Sequence, residues 1–392
     1  MKLLNKLLLG ISLIAMSLAF VSCKKENNKK EELNNCTIEH ELEFGGIYIH
    51  ETIDEFNKLG FKYGDSVNLE FSNGKTLDDI PYYNGYYTQN GEILLVAYPG
   101  YPYIKVCINN GDDLYQIAGL ADGDTADIKL SQRGKYLDIQ EALDIHYTDI
   151  QGDIPDNVFG NFRSVNVGNL KTDILYRSAS PVDNQHNRAA VVDRLINNKV
   201  NTIVNLSDND SELEEHLNSS DFNSPYAKTL YERNSIIALS MNMNFKSLNN
   251  EEDDVPNLFR DFKDAVFTNK LIQGLNFITE NDGPYLVHCV EGKDRTGFVC
   301  MVIEAIAGAS YDEIINDYMI TYDNYYGINL NDEPSKYNII KEKNIEEMLR
   351  TIINDDSVDI KTANYGEYCT NYLLSKGMEA DKINLLKQKL TQ

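Results

Sequence analysis

The chain has 392 residues, of which 42% are hydrophobic and 25% charged, so most of it can bury a core and an intrinsically disordered protein is excluded. At roughly 100–200 residues per domain, this length accommodates two folded units. The formal net charge of −25 argues against a nucleic-acid-binding protein, because phosphate backbones select basic faces.

The N-terminus has the pattern of an export signal. A basic start is followed by an apolar run over residues 7–21, which is too short to span a bilayer and ends at Ser22-Cys23. A small residue followed by cysteine is typical of a bacterial lipoprotein cleavage site. Residues 1–23 are therefore predicted to be a signal peptide and Cys23 to carry a lipid, with an ordinary signal peptide or an uncleaved anchor as the alternative. The protein is expected to be exported and anchored at a membrane of a bacterial cell envelope.

Residues 24–40 are rich in Lys, Glu and Asn and are predicted to be a disordered linker. Residues 41–150 are predicted to form a small β-rich domain, because short strand-type runs such as 67–71 and 93–97 alternate with Asn-Gly turns. Its many tyrosines favour packing within strands, with a carbohydrate-binding or peptide-binding face as the alternative. The ligand of this domain, if it has one, is unknown.

From residue 155 onward, helical and strand patterns alternate, which is typical of an α/β fold. The sequence predicts a helix over 187–198, a strand over 200–206, a helix over 261–279 and a strand over 284–287. A further helix is predicted over 297–307. The chain from residue 311 to its end is predicted to be helical, as a lid over a pocket or as a buttress.

The run His288-Cys289-Val290-Glu291-Gly292-Lys293-Asp294-Arg295-Thr296-Gly297 lies between the strand over 284–287 and the helix over 297–307. Backbone N–H groups in such a strand–loop–helix segment can surround an anion, and the positive end of the helix adds to the attraction. The same field favours the thiolate of Cys289, which is a nucleophile. Arg295 supplies two parallel donors that match phosphate oxygens, and Thr296 can donate to the sulfur when it leaves. The loop residues Val290, Glu291, Gly292, Lys293, Thr296 and Gly297 are predicted to bind phosphate.

Attack on a phosphate ester also requires an acid that protonates the leaving oxygen. Asp294, within the loop, is the first candidate. The alternatives are Asp208 and Asp210, after the strand over 200–206, and Asp253 and Asp254 in an acidic run.

Six cysteines occur, with no C-x-x-C pair, so no zinc or redox motif is indicated and no metal or cofactor is expected. Cys300 follows Cys289 by about three helical turns and is predicted to pack in the core.

The residues 288–297 resemble the active-site motif of the protein-tyrosine phosphatase superfamily, especially its bacterial branch of tyrosine and phosphoinositide phosphatases. The segments Asn161–Val165 and Ile174–Ser180 resemble the opening of that branch. The resemblance covers residues 155–325 and implies a central sheet flanked by helices, in a phosphatase domain over 155–392 with a C-terminal helical extension. It also implies that Asp294 is the general acid and that Lys293 is associated with tolerance of lipid phosphates.

One position departs from the phosphoinositide phosphatases, which often have a lysine two residues after the cysteine, where this chain has Glu291. The carboxylate is expected to repel a headgroup with several phosphates. We therefore expect phosphotyrosine in proteins to be the substrate, hydrolysed through a cysteinyl-phosphate intermediate, with a phosphoinositide or inositol phosphate as the alternative. A hypothesis of another class is a surface-binding lipoprotein whose phosphatase-like domain is an inactive scaffold.

Overall fold

The structure is a computed structural model that describes residues 31–42, 45–89, 91–109, 111–220, 223–241, 265–355 and 357–392. The signal peptide and the lipid anchor at Cys23 lie outside these residues and stay predictions. No helix within the described ranges is long and apolar enough to cross a membrane.

The first part of the chain forms a closed barrel of seven strands in the order β1-β2-β6-β5-β4-β3-β7. The strands are β1 (Glu32–Glu41), β2 (Gly46–Ile49), β3 (Ser66–Phe71), β4 (Thr76–Tyr83), β5 (Ile93–Val96), β6 (Ile104–Ile108) and β7 (Thr125–Gln132). Three short helices accompany them: α1 (Ile53–Lys58), α2 (Leu114–Ile117) and α3 (Leu137–Leu143). Alternate residues such as Val67, Leu69 and Phe71 of β3 point into the apolar interior, which confirms the prediction of a β-rich region.

Strand β1 overlaps the segment predicted to be a disordered linker, so that prediction is wrong for residues 32–40. The strand pairs with β2 on one side and with β7 on the other, and it closes the barrel. The polar composition of β1 gives little sign of a strand in the sequence. The strand is stabilised by backbone pairing on two sides and by inward residues such as Leu33 and Ile38.

The tyrosines of the barrel fall into two groups. Tyr82 and Tyr83 are buried, in agreement with the expected packing role. Tyr86 and Tyr98 are 36% and 45% exposed and lie beside Tyr101 at the surface.

The second part of the chain is an α/β unit around a five-stranded sheet in the order β11-β10-β12-β9-β8. Its strands are β8 (Arg163–Ser164), β9 (Leu175–Ser178), β10 (Thr202–Asn205), β11 (Ile236–Ala238) and β12 (Tyr285–His288). Strands β11, β10, β12 and β9 are parallel, and β8 pairs antiparallel at the edge. The loop after the central strand β12 therefore begins where the carboxyl ends of β9 and β10 also lie.

Helices cover both faces of this sheet. They are α4 (Asp156–Phe159), α5 (Ala189–Ile196), α6 (Asp210–Asn218), α7 (Pro225–Glu232), α8 (Ala265–Glu280), α9 (Asp294–Ile306), α10 (Tyr311–Tyr326), α11 (Pro334–Lys341), α12 (Glu347–Ile353), α13 (Tyr365–Ser375) and α14 (Ala380–Leu390). A π-helical turn (Glu342–Glu346) joins α11 to α12. Because side chains alternate along a strand, Ile203 and Leu286 pack with α5 and α7, whereas Val204 and Val287 pack with α8 and α9.

Two boundaries differ from the sequence-based prediction. Helix α9 begins at Asp294 rather than at residue 297. The sequence-based prediction began too late because the first turn of the helix is polar and the apolar pattern begins only with Phe298. In the region from residue 311 onward, which is predicted to be helical, a π-helical turn separates α11 from α12.

The last helix, α14, is part of the core. Leu386 and Leu390 are buried in the same cluster as Leu275 of α8. The backbone N–H of Lys171 donates to the carbonyl of Leu390 at 2.8 Å. This end of the chain is therefore a buttress behind the sheet.

Replacing Leu386, which is fully buried, by alanine is expected to lower the free energy of unfolding by about 2–5 kcal/mol, because a cavity is left in the core. The neighbouring Leu385 is 37% exposed, and the same change there is expected to cost less than about 1 kcal/mol. Urea unfolding followed by circular dichroism measures both. Equal losses for the two variants would show that α14 is not packed as described.

Candidate active site

The loop between β12 and α9 has a shape that depends on glycine. Cys289, at its start, is only 4% exposed. Gly292 has a φ angle of +69°, and a Cβ atom there would lie 2.1 Å from the carbonyl oxygen of Ser178. Since no other residue fits that space, Gly292 lets the loop curl closely over the end of β9.

Four groups hold the carbonyl oxygens of this loop. The Asn161 Nδ2 donates to the carbonyls of Glu291 and Gly292, at 3.2 and 3.3 Å. Arg177 Nη2 donates to the Gly292 carbonyl at 3.0 Å, and the Tyr325 hydroxyl donates to that of Glu291 at 2.7 Å. The backbone N–H of Ser180 donates to the carbonyl of Val290 at 2.9 Å.

Anchored carbonyls determine where the N–H groups of the loop point. In a trans peptide unit the N–H is directed opposite to the C=O. The N–H groups of residues 291–293 therefore point away from these anchors, toward the inside of the loop. Such a concave set of N–H groups is a site for an anion.

The arginine that anchors the loop is itself part of a buried ion network. Arg177 Nη1 donates to Oδ2 of Asp317 at 2.6 Å, and Arg163 Nε donates to Oδ1 of the same carboxylate at 3.0 Å. Burial raises the pKa of Asp317, but the two guanidinium groups outweigh that effect and hold the pKa below its usual value. Arg177 is thus paired with a carboxylate.

Asn161 is fixed by the same network. It is fully buried and has a φ angle of +48°, a conformation that asparagine tolerates better than most residues. Its side-chain oxygen accepts from Arg163 Nη1 at 2.7 Å and from Asn324 Nδ2 at 3.0 Å, which orients its Nδ2 toward the loop.

Arg295 and Thr296 lie in the first turn of α9. Arg295 is half-buried, and its Nη1 donates to the carbonyl of Met241 at 3.2 Å. The Thr296 hydroxyl is buried and has no hydrogen-bond partner among the described residues. A buried hydroxyl without a partner is rare, and it leaves Thr296 able to bond to a group that enters the loop.

His288 precedes the cysteine and is completely buried. Burial lowers the pKa of His288 to about 4, so the ring is neutral at pH 7. Its Nδ1 lies 3.1 Å from the carbonyl of Cys289, and that contact requires the proton on Nδ1. The ring therefore supports the backbone at the cysteine.

Glu291 is not a free charge at the rim. Its Oε2 lies 3.0 Å from Nζ of Lys293, and its Oε1 accepts from the hydroxyl of Tyr147 at 2.6 Å. Burial lowers the pKa of Lys293, but Asp294, Tyr322 and Glu291 together raise it well above its usual value. The expected repulsion by Glu291 is therefore replaced by an ion pair within the loop.

The candidate acids have different surroundings. The side chain of Asp294 is 48% exposed at the start of α9, and its Oδ2 lies 3.9 Å from Nζ of Lys293. Asp208 is buried and accepts from Asn205 Nδ2 at 2.9 Å.

The remaining candidates are Asp210, Asp253 and Asp254. Asp210 is exposed in the first turn of α6. Asp253 and Asp254 lie outside the described residues.

Three further residues make contacts within the fold: Cys300, Arg188 and Gly297. Cys300 is completely buried within the core, as expected. Arg188 donates to Asp149 at 2.9 Å. At Gly297, which is predicted to bind phosphate, a Cβ atom would lie 2.5 Å from the ring of Tyr318, so the helix packs closely at this position. Among the described residues, no group of three or more His, Cys, Asp or Glu is arranged to hold a metal ion.

Several residues that shape the site were not identified as such from the sequence. Asn161, Arg163 and Arg177 lie in the segments that resemble the bacterial branch. The sequence therefore indicated that these segments belong to the domain, but it did not indicate what the three side chains do. Tyr147 and Asp317 carried no signal, because their importance depends on contacts across more than a hundred residues of chain.

No protein of curated function matches this sequence. A solved structure of an uncharacterized conserved protein from Thermotoga maritima has 19% sequence identity and a TM-score of 0.21, over 25% of this chain and 35% of that one. The chain thus spans about a third of that protein, and the likeness is too low to carry a structural argument.

A model of the tyrosine phosphatase family matches residues 158–392. The match covers more than half of the 392 residues and includes the whole β12–α9 loop with its anchors Asn161, Arg177 and Asp317. The chain therefore belongs to the tyrosine phosphatase family.

Proposed function

We propose that this protein hydrolyses phosphate monoesters, with phosphotyrosine in proteins as the main substrate, through a cysteinyl-phosphate intermediate on Cys289. The observation that carries the proposal is the loop whose carbonyls are held outward by Asn161, Arg177 and Tyr325. This arrangement directs N–H groups to the place where the three non-bridging phosphate oxygens would lie.

In the first step, the Cys289 thiolate attacks phosphorus and the bond from phosphorus to the tyrosyl oxygen breaks. Arg295 releases the Met241 carbonyl and binds two phosphate oxygens in a bidentate manner. Asp294 gives its proton to the leaving oxygen, so that a neutral phenol departs. The loop N–H groups bear the charge of the transferring phosphoryl group.

In the second step, water attacks phosphorus and the bond from phosphorus to sulfur breaks. The Asp294 carboxylate takes a proton from that water. The unpartnered hydroxyl of Thr296 donates to the sulfur as it leaves, which stabilises the thiolate. Inorganic phosphate is released and the thiolate is restored.

Asp294 is preferred to Asp208 as the acid because of its surroundings. The Asp208 carboxylate accepts a hydrogen bond from Asn205 Nδ2 at 2.9 Å and lies 3.2 Å from Nδ1 of His216. A carboxylate held in this way supports the turn after β10. Asp294 is in the loop itself and remains half-exposed.

The charges beside the loop favour a substrate with one phosphate. Lys293, the residue that would hold a second phosphate, is occupied by Glu291 at 3.0 Å. Binding of a phosphoinositide with several phosphates would have to break that pair. This ion pair is the reason for preferring phosphotyrosine to a phosphoinositide.

Replacing Cys289 by serine is expected to abolish hydrolysis of a chromogenic aryl phosphate, because the hydroxyl is a far weaker nucleophile than the thiolate. The matched control is Cys36→Ser in the barrel, which should keep the wild-type rate. Activity is expected to persist in the presence of a chelator, since the loop and Arg295 supply the positive charge. A wild type no faster than Cys289→Ser would favour the inactive scaffold.

The Asp294→Asn variant is expected to lower kcat for phosphotyrosyl peptides by about a hundredfold, since a general acid contributes on that order. The loss should be much smaller for an aryl phosphate whose leaving group needs no proton. The Asp208→Asn variant serves as the comparison and should retain the wild-type sensitivity to the leaving group. If Asp208→Asn, and not Asp294→Asn, shows this dependence, the assignment of the acid is wrong.

The Glu291→Gln variant removes the charge that occupies Lys293 and leaves the side-chain length unchanged. The ratio of kcat/KM for a phosphatidylinositol bisphosphate to that for a phosphotyrosyl peptide is expected to rise about 3- to 10-fold, as for the release of one half-buried charge. Glu280→Gln, which breaks an exposed pair with Lys382, is the control. An unchanged ratio would show that the Glu291–Lys293 pair does not determine the preference for phosphotyrosine.

A further inference from the structure

The segment that leaves the barrel domain contacts the phosphate-binding loop. After α3 ends at Leu143, residues 144–150 run without helix or strand to the α/β unit. Tyr147, in the middle of this connecting segment, donates its hydroxyl hydrogen to Oε1 of Glu291 at 2.6 Å. The proposed active site thus includes a side chain from outside the region matched by the tyrosine phosphatase family, which begins at residue 158.

Tyr147 is fixed from several sides. Its ring lies 4.9 Å from that of Tyr325, and the guanidinium of Arg188 lies 4.8 Å from its ring centre. Arg188 also donates to the carbonyl of Thr148 at 2.8 Å and to Asp149 at 2.9 Å. The buried Arg188 therefore determines both the path of the connecting segment and the place of the Tyr147 ring.

The other end of the connecting segment is tied to the barrel. Asn84, directly after β4, donates to Oδ2 of Asp144 at 2.9 Å, and Gln140 of α3 donates to Oδ1 of Asn84 at 2.7 Å. The connecting segment that carries Tyr147 is therefore hydrogen-bonded to the barrel at Asp144 and to the phosphate-binding loop at Glu291.

We propose that Tyr147 is a specificity-determining residue, which holds Glu291 on Lys293 and thereby keeps that lysine from binding a second phosphate. The proposal rests on the proposed phosphatase function and extends it to a residue of the connecting segment. Tyr147 takes no part in bond making or breaking.

The geometry of the carboxylate explains the effect. Among the described residues, each oxygen of Glu291 has one partner: Oε1 accepts from Tyr147, and Oε2 pairs with Lys293 at 3.0 Å. With both oxygens held, the carboxylate has one position. Without the tyrosine hydroxyl, Oε1 loses a charge-assisted hydrogen bond and the side chain can turn toward water. Lys293 then loses the pair at 3.0 Å and keeps the longer contact of 3.9 Å with Asp294.

The Tyr147→Phe variant tests this directly, because it removes the hydroxyl and leaves the ring in contact with Tyr325 and Arg188. Two probes are compared as kcat/KM: a phosphatidylinositol bisphosphate in detergent micelles and a singly phosphorylated tyrosyl peptide. The ratio is expected to rise about 3- to 10-fold in favour of the bisphosphate, as for the loss of one charge-assisted hydrogen bond. Partial unfolding lowers both values alike, so the ratio reports specificity and not stability.

The matched control is Tyr136→Phe, which removes a tyrosine hydrogen bond to the carbonyl of Asp79 within the barrel and should leave the ratio unchanged. The double variant Tyr147→Phe/Glu291→Gln should have the ratio of Glu291→Gln alone, because Tyr147 acts only through that carboxylate.

The outcomes separate this proposal from the function on which it rests. A ratio that rises in Glu291→Gln and stays at the wild-type value in Tyr147→Phe overturns the role of Tyr147. Effects of the two changes that multiply in the double variant also overturn it. Absence of hydrolysis of both probes by the wild type overturns the phosphatase function itself.

Discussion

The site depends on the outward orientation of the carbonyls in the β12–α9 loop. An isolated loop would present its N–H and C=O groups to water without preference. Here Asn161 and Arg177 bind the carbonyls from behind, and Asp317 balances the charge of Arg177 within the core. The proposed anion site is made of backbone groups, and its shape depends on a buried network of side chains whose hydrogen bonds lie within the protein.

The charge beside the loop is opposite in sign to the net charge of the protein. The chain carries a net charge of −25, yet the loop is surrounded by Arg163, Arg177, Lys293 and Arg295. Three of these cations are already partnered, by Asp317 or by Glu291. Among the described residues, Arg295 donates to the neutral carbonyl of Met241 and forms no ion pair, which leaves its charge available to an anion.

Much of the fold could be predicted from local pattern, and the parts that could not have physical reasons. The apolar runs before and after the loop identified β12 and α9, and the spacing of Cys289 and Arg295 identified the loop. Strand β1 was missed because pairing on two sides stabilises a polar sequence. The roles of Tyr147 and Asp317 could not be predicted, since both arise from contacts between distant parts of the chain, which periodicity does not record.

The closure of the barrel by β1 has a consequence for what this domain can recognise. A sheet with an open edge can accept an added strand from another protein, with affinity from backbone hydrogen bonds and little demand on sequence. Because β1 pairs with both β2 and β7, it has no open edge to which a peptide could add as a strand. A partner of this domain would have to be selected by side chains on the outer surface, and its recognition would therefore depend on sequence at individual positions.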